Sequence, residues 1–259
     1  MNDKKNERMI GRRRLLVGAA QATGLLLLAG CDGLSRSEWF TALLGKAESV
    51  TRRAQRMLSP RLALAKEFSD ADLSSVFPAN GNSDPDNVEY QRMARAGFAD
   101  WALRVDGMVQ QPLALSLTEL RTLPSRTQIT RHDCVEGWSA IGKWTGVQLS
   151  RIIERSHPLP AARYVVFHCA DPDEEGMFYY ESLDFDDAFH PQTILAYEMN
   201  DQVLPIAHGA PVRLRVERQL GYKHAKYVMR IELVESLDGI GGGRGGYWED
   251  QGYEWYAGI

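Results

Sequence analysis

The chain alternates between segments with helical and with extended hydrophobic periods. Apolar positions between Trp39 and Leu44 repeat at helical spacing and predict a helix from Ser37 to Leu58. Further helical patterns lie at 116–123, 149–157 and 182–189, and apolar runs predict strands at 101–105, 127–130, 164–167, 193–197, 212–216 and 227–234. Strands and short helices are interspersed without a regular βαβ period, so the sequence predicts one mixed α+β domain.

Turn signals between these segments define their connections. Asp106-Gly107 follows the first strand and predicts a hairpin, and Phe77–Pro85 has the composition of a long loop. The residues His168–Asp171 are predicted to follow the end of the strand at 164–167. The tail from Gly239 to Ile259 is rich in glycine and aromatic residues, and we expect it to fold back onto the domain.

The first thirty residues predict an export signal. The paired arginines of Arg12–Arg14 precede a short apolar run, Leu15–Gly30, which is typical of a twin-arginine signal peptide. The run ends in Leu28–Cys31, the pattern of a lipoprotein cleavage site at which Cys31 would carry the lipid. We therefore expect a signal peptide over 1–30, a tether with a helix over 31–75, and a periplasmic or envelope location with a lipid anchor at Cys31. An ordinary secretory signal or an N-terminal anchor helix is the alternative.

Composition and charge exclude one class of partner. The chain has 259 residues, 44% of them hydrophobic, which is enough for one sizeable core over 76–259. Residues 1–30 carry six of the 30 basic and two of the 34 acidic residues, so the rest has a net charge of −8. An acidic domain argues against nucleic acid as a partner.

A single thiol stands in the polar stretch Arg131–Trp138. Cys134 falls at the end of the strand at 127–130 or in the loop after it, where a thiolate can reach a ligand. Two alternatives stay open at this point. Cys134 and Cys169 can form a disulfide in an oxidising compartment, and Cys134 with His132, two residues away on the same strand face, can form a thiol enzyme site.

A second informative stretch places basic residues close together. Arg213 and Arg215 alternate with the apolar positions of the strand at 212–216, and the loop that follows carries Lys223, His224 and Lys226. Clustered guanidinium and ammonium groups suit a phosphate, so the sequence predicts a basic phosphate pocket in an acidic protein. The alternative is an ordinary solvated face of the strand.

Several motifs together resemble the sulfite oxidase family of molybdenum enzymes, and within it the bacterial periplasmic methionine-sulfoxide reductases. They are Cys134–Trp138, Leu195–Asn200, His208–Arg213 and Lys226, in the family's order and spacing. The resemblance covers most of residues 75–259. It implies a sulfite-oxidase-type α+β domain without the C-terminal immunoglobulin-like domain that sulfite oxidases carry.

The resemblance also implies a cofactor, molybdenum held by molybdopterin. In that family, the residue matching Cys134 is the one protein ligand to the metal, and the tyrosine matching Tyr253 lines the metal site. Cys134 and Tyr253 are thus the candidate catalytic residues. The resemblance further implies pterin or phosphate contacts from Asn80, Cys169, His208, Arg213, His224, Ala225 and Lys226.

One departure from the family bears on the reaction. Sulfite oxidases place an arginine shortly after the ligand cysteine to bind the oxyanion, and here Gly137-Trp138 occupies that region. We therefore expect reduction of an oxidised small molecule or side chain, by oxygen-atom or two-electron transfer. Sulfite oxidation and a cofactor-free lipoprotein binding module are the alternatives.

The expected electron donor is another protein. The sequence holds no haem motif C-x-x-C-H and no set of cysteines for an iron–sulfur cluster. We expect a membrane cytochrome or a quinol-linked subunit to supply the electrons, and the chain itself to be a monomer.

Overall fold

A computed structural model describes residues 37–58 and 62–259 of the chain. The predicted signal peptide and Cys31 lie outside the described residues. The chain divides after Ala54 into two units, and the second spans Gln55–Ile259. Helix α1 spans Glu38–Leu58 and confirms the predicted helix. Within the described ranges, no helix is both long and apolar enough to cross a membrane.

The second unit alternates strands with short helices, as the hydrophobic pattern predicts. Its helices are α2 (Val88–Arg95), α3 (Leu117–Thr122), α4 (Leu149–Ser156), α5 (Phe185–Ala188) and α6 (Tyr247–Asp250), with 3-10 turns at Asp70–Asp72, Ile206–His208 and Gly221–Lys223. Its strands are β1 (Ala102–Gly107), β2 (Leu113–Ser116), β3 (Ser125–Asp133), β4 (Ser139–Gln148), β5 (Tyr164–Pro172), β6 (Phe178–Asp184), β7 (Ile194–Met199), β8 (Gln202–Val203), β9 (Arg213–Arg215) and β10 (Val228–Val234). The mixed α+β class is confirmed.

The strands form two sheets. In the first the order is β2-β1-β10-β5-β6, and only the β1–β10 pair is parallel. In the second the order is β3-β4-β7-β8, with β9 also paired to β7. Residues ahead of α2 extend this second sheet, since the amide of Phe68 donates to the carbonyl of Ile129 at 2.9 Å.

One large hydrophobic core joins the two sheets. Val105, Phe167 and Ile231 from the first sheet and Val147 and Leu195 from the second are all fully buried in it. Burial of such side chains is the main favourable term in folding, at roughly 25 cal/mol per Å² of apolar surface. The core therefore fixes the ends of β3, β5 and β9 relative to one another.

Local signals set the bounds of several elements. Ser116 accepts a hydrogen bond from the amide of Glu119 at 3.2 Å, and the Glu119 carboxylate accepts from the amide of Ser116 at 2.8 Å. This capping box begins α3 as predicted. The predicted hairpin is also present, but residues 108–112 connect β1 to β2 after Asp106-Gly107.

Two predicted bounds are wrong. Strand β5 does not end before His168 but runs to Pro172, because β10 and β6 pair with it on both sides as far as Cys169 and Pro172. The predicted helix at 182–189 is shorter. Its first residues complete β6, and α5 begins only where the side chain of Asp184 accepts from the amide of Asp187.

Candidate active site

Cys134 directly follows β3, as the sequence predicts. Its amide donates to the carbonyl of Trp138 at 2.9 Å, and its carbonyl accepts from the amide of Gly137 at 3.1 Å. Gly137 has a φ of 89°, a left-handed conformation that a glycine adopts without strain. This turn fixes the Cys134 backbone at the wall of a cavity of about 320 Å³.

The environment of Cys134 favours a ligand role over a nucleophilic one. The side chain is 9% exposed, and burial raises the pKa of the thiol above its ordinary value. Cys134 and Cys169 are both free, so the disulfide alternative is not realised in this structure. A buried neutral thiol is a poor nucleophile, whereas coordination by a metal deprotonates a thiol outright.

His132 does not support a thiol enzyme site. Its Nδ1 lies 2.9 Å from Nη1 of Arg215, which can only donate, so Nδ1 is the acceptor and the ring is held neutral. Burial, followed by the charges of Arg215 and Arg213, lowers the pKa of His132 well below its usual value. A ring held in this way is a weak base for the neighbouring thiol.

Arg213 and Lys226 form a buried pair of cations beside the cavity. Both flank Gly209, where an added Cβ would lie 2.9 Å from Cβ of Lys226 and 3.1 Å from Cβ of Arg213. Arg213 donates to the carbonyls of His208 at 3.1 Å and His224 at 3.4 Å. Lys226 Nζ donates to the carbonyls of Asn80 at 2.7 Å, Ala207 at 3.2 Å and Asn82.

The two cations of this pair have no carboxylate at ion-pair distance within the described chain. Among residues 37–58 and 62–259, no carboxylate forms an ion pair with Arg213 or Lys226. Burial and the charge of Arg215 lower the pKa of Arg213 to about 9, and burial and the charge of Arg213 lower that of Lys226 to about 7. Such shifts mean that the folded protein holds these charges at a cost, which a bound anion would remove.

Two of the three other basic residues of the predicted pocket have acidic partners. Lys223 is fully buried between Glu181 and Glu249, with its Nζ at 2.5 Å from the Glu249 carboxylate. Arg215 binds Glu217 through two hydrogen bonds of 2.9 and 2.6 Å. The predicted five-member basic pocket is therefore wrong for these two residues, and the solvated-face alternative is wrong as well, because Arg213 and Arg215 are 0% exposed.

Several buried polar atoms near the pair lack a hydrogen-bond partner within the described residues. They are Asn80 Oδ1, His208 Nδ1, His224 Nδ1 and Arg213 Nε. His224 Nε2 donates to the carbonyl of Gln219 at 3.0 Å, so its Nδ1 is a bare acceptor. Burial also lowers the pKa of His208 to about 4, which leaves it neutral.

These residues fit a phosphorylated, hydrogen-bonding cofactor such as molybdopterin. Buried donors and acceptors without partners are costly unless a ligand satisfies them. Asn80 Oδ1 and His224 Nδ1 offer acceptors, Arg213 Nε offers a donor, and the uncompensated charges of Arg213 and Lys226 suit a phosphate. The soft thiol of Cys134 is chemically suited to bind the metal, and its role as the ligand stays a prediction.

The structure brings the predicted site residues into one region. The cavity is lined by Asn80, Cys134, His224, Lys226 and Tyr253. His208 and Arg213 adjoin it through the hydrogen bonds described above. Ala225 accepts from the amide of Leu214 at 2.8 Å, and Cys169 pairs with Val228 across β5 and β10. Their individual contacts to a cofactor stay predictions, and Tyr253, 42% exposed, lies at the cavity mouth.

An aromatic cluster packs against the site residues His208 and Arg213. The sequence pattern alone does not reveal it. Phe77 contacts the rings of Trp144, His208 and Trp138 at centroid distances of 5.3, 5.7 and 6.0 Å. Arg213 lies over the Trp144 ring at 5.1 Å. The only signal for Phe77 is a large aromatic residue at the start of an otherwise turn-forming segment.

A sequence profile decides the family. The oxidoreductase molybdopterin binding domain matches residues 90–238, more than half of the chain. The chain belongs to the sulfite oxidase family of molybdopterin-binding oxidoreductases. The resemblance predicted from the Cys134 and Arg213 motifs is thereby confirmed, and so are the enzyme class and the cofactor, molybdenum with molybdopterin.

Several proteins similar to this chain are named as subunits of protein-methionine-sulfoxide reductases. A putative protein-methionine-sulfoxide reductase subunit YedZ1 from Azospira oryzae is 37% identical over 95% of this chain and 87% of its own length. The protein-methionine-sulfoxide reductase catalytic subunit MsrP of Ralstonia nicotianae is 31% identical over 86% of this chain and 69% of its own. The MsrP of Xanthomonas axonopodis pv. citri is 37% identical over 54% and 47%. This chain thus spans about half the length of some of these relatives.

Proposed function

We propose that this oxidoreductase reduces sulfoxides, with the oxidised methionine side chain as its substrate class. The family and the cofactor define a two-electron reaction at molybdenum, and the names of the relatives suggest the sulfoxide. When bound, the cofactor would supply the oxygen-atom chemistry. The residues of the chain would bind the substrate, exclude water and supply protons.

The character of the cavity wall is the observation that carries this proposal. The mouth is formed by aromatic side chains, with Trp248 and Tyr253 at 5.3 Å and Tyr222 and Tyr253 at 5.2 Å between ring centroids. Thioether sulfur, which the reduced product carries, makes favourable contacts with aromatic rings. Such a mouth suits a neutral substrate that carries alkyl groups on sulfur.

The charges on the wall disfavour the alternative substrate, sulfite. The carboxylates of Glu136 and Asp173 line the cavity, together with the buried carboxyl group of Asp171, against the single ammonium of Lys226. An anion of charge near −2 would meet like charges here, while a neutral sulfoxide would not.

We further propose an envelope protein that receives electrons from a membrane partner. The support is the sequence pattern before Cys31, with its paired arginines and lipoprotein cleavage site, and the word subunit in the names of the relatives. Cys31→Ala would then change the membrane fractionation and the mass of the mature protein. An unchanged mass and fractionation would contradict the lipid anchor.

The reaction is tested on protein produced with its N-terminal segment intact and loaded with cofactor. Reduced viologen dye is oxidised in the presence of free methionine sulfoxide or of a methionine-oxidised unfolded polypeptide, and ferricyanide is reduced in the presence of sulfite. We expect turnover with both sulfoxides and little with sulfite. Turnover with sulfite alone would favour sulfite oxidation, and a purified protein without molybdenum or pterin would favour the binding-module alternative.

A further inference from the structure

Asp171 is a buried carboxyl group on the wall of the cavity. It lies near the end of β5, is 8% exposed, and lines the same cavity as Cys134. Its Oδ1 is buried and has no hydrogen-bond partner among the described residues. A buried carboxyl that no ion pair explains is an unusual feature, and buried acids in clefts are frequent in catalysis.

The surroundings of Asp171 raise its pKa into the neutral range, so that a substantial fraction of the molecules carries the proton at pH 7. Burial raises its pKa to about 7, against smaller opposing effects of its own amide and of the charge on Lys226. Groups from α2, β5, β6 and the segment before β10 interact electrostatically with it, namely Tyr90, Cys169, Tyr179, Lys226 and Tyr227. Lys226 is the cation among them. An anion bound by Lys226 would cancel its effect and raise the pKa of Asp171 further.

The other acidic groups of the cavity are not equivalent. Asp173 accepts hydrogen bonds from the hydroxyl of Tyr247 at 2.8 Å and from the amide of Met177 at 2.8 Å, and these bonds lower its pKa. Glu136 is exposed and accepts from Nε1 of Trp138 at 2.9 Å. Asp171 is thus a buried carboxyl group of this wall with a pKa raised to about 7.

We propose that Asp171 is a catalytic acid that gives its proton to the substrate oxygen as the sulfur–oxygen bond breaks. This inference depends on the proposed sulfoxide reduction. The overall step converts R₂S=O, two electrons and two protons into R₂S and water. The sulfur is reduced, the oxygen leaves as water, Asp171 supplies one of the protons, and solvent supplies the other and reprotonates Asp171. The electrons come from the partner subunit, or from reduced viologen dye in an assay.

The main variant is Asp171→Asn, which keeps the shape and removes the proton. General acid catalysis contributes about 100- to 10,000-fold, so kcat with dimethyl sulfoxide should fall by about 100-fold or more. The wild-type rate should decline with rising pH above about 7, as Asp171 loses its proton, and this alkaline limb should be absent in the variant. Pterin content should stay at the wild-type level.

Asp187→Asn is the matched control. Asp187 is likewise buried and has a pKa raised chiefly by burial, but it lies outside the cavity, bonded to Gln219 at 2.7 Å and to Arg56 at 3.2 Å. The same chemical change there should leave the pH profile of turnover unaltered. If the Asp171→Asn protein loses its cofactor, Asp171→Glu keeps a carboxyl group and should retain the alkaline limb with a shifted midpoint.

A measurement without turnover completes the test. In protein labelled with ¹³C at the aspartate carboxyl carbons, the resonance that Asp171→Asn removes should titrate near pH 7 or above. A midpoint near 4, or an Asp171→Asn protein with wild-type kcat and the same alkaline limb, would overturn the proposal while leaving sulfoxide reduction intact. Failure of the loaded wild-type protein to reduce any sulfoxide would instead overturn the proposed function, and this inference with it.

Discussion

Burial and the neighbouring charge of Arg213 together lower the pKa of Lys226 from 10.5 to about 7. The two side chains flank Gly209, where an added Cβ would lie 2.9 Å from Cβ of Lys226 and 3.1 Å from Cβ of Arg213. Glycine therefore lets both cations pack closely at this point, and no carboxylate of the described chain forms an ion pair with either. Two buried cations without a carboxylate partner lower the stability of the folded protein, and a bound anion would remove that cost. A structural ion pair differs because its anion is a side chain of the protein itself.

The first prediction concerns the stability of cofactor-free protein. Between pH 7 and 10.5, the unfolded chain keeps a proton on Lys226 that the folded chain has released. Unfolding therefore takes up a proton, and the free energy of unfolding should rise with pH by up to about 1.4 kcal/mol per pH unit. Urea unfolding at pH 7.0 and 8.5 measures this.

Two comparisons separate this effect from other titrations. Lys226→Met should lose most of the rise over the same interval. Protein loaded with cofactor should lose it as well, because the phosphate restores the ordinary pKa of Lys226. Equal slopes in all three proteins would show that Lys226 carries an ordinary pKa.

The second prediction concerns cofactor retention. The double variant Arg213→Met/Lys226→Met keeps the apolar stems and removes both charges. With about 1.5–3 kcal/mol for each charge-assisted contact, cofactor affinity should fall by about two to four powers of ten. The cofactor-free variant should unfold cooperatively and at no lower urea concentration than the cofactor-free wild type, because two unpaired buried charges are gone.

The matched control for retention is Lys143→Met/Arg151→Met. These two cations form surface ion pairs with Asp201 and Glu154 and lie outside the cavity. The control should keep its full pterin content after dialysis. Full pterin content in the Arg213/Lys226 variant would show that the pair does not hold the cofactor.

The third prediction concerns the buried group Glu181–Lys223–Glu249. It joins β6, the turn at Gly221–Lys223 and helix α6, so it ties the C-terminal segment to the domain. Lys223→Met leaves two buried carboxyl groups without their cation, which should cost about 3–5 kcal/mol of unfolding free energy.

The surface variant Lys143→Met provides the comparison for that cost. Exposed ion pairs contribute about 0–1 kcal/mol, so its urea midpoint should barely move. A Lys223→Met protein as stable as Lys143→Met would mean that the buried carboxyl groups are protonated and need no cation. Limited proteolysis near α6 reports whether the segment has detached.

Much of the fold follows from local signals in the sequence. The capping box at Ser116 and the apolar runs of β3, β5 and β10 are encoded within a few residues, so their positions are predictable. Strand β5 is longer than its apolar run because β6 and β10 extend the pairing past His168. That length depends on distant strands and has no local signal.

The sequence motifs bring forward the candidate site residues but not their electrostatics. Cys134, Arg213 and Lys226 stand in motifs with recognisable spacing. The sequence does not show that Lys223 and Arg215 are neutralised by Glu181, Glu249 and Glu217, because these carboxylates come from other elements or from an adjacent turn. Likewise, only the structure shows that Asp171 is buried on the cavity wall and that its Oδ1 has no hydrogen-bond partner among the described residues.

The central claim is that Cys134 holds molybdenum in a pterin site of this chain. The most direct measurement is the molybdenum and pterin content of protein produced with its N-terminal segment intact, as wild type, Cys134→Ser and Cys169→Ser. A hydroxyl is a harder and poorer ligand than a thiolate, so Cys134→Ser should lose the metal or change its absorption spectrum, with turnover abolished. We expect molybdenum equimolar with the chain in the wild type, and in Cys169→Ser an unchanged absorption spectrum of the metal, because Cys169 is a predicted pterin contact and not a metal ligand. A Cys134→Ser protein with equimolar molybdenum, an unchanged spectrum and wild-type activity would contradict the account.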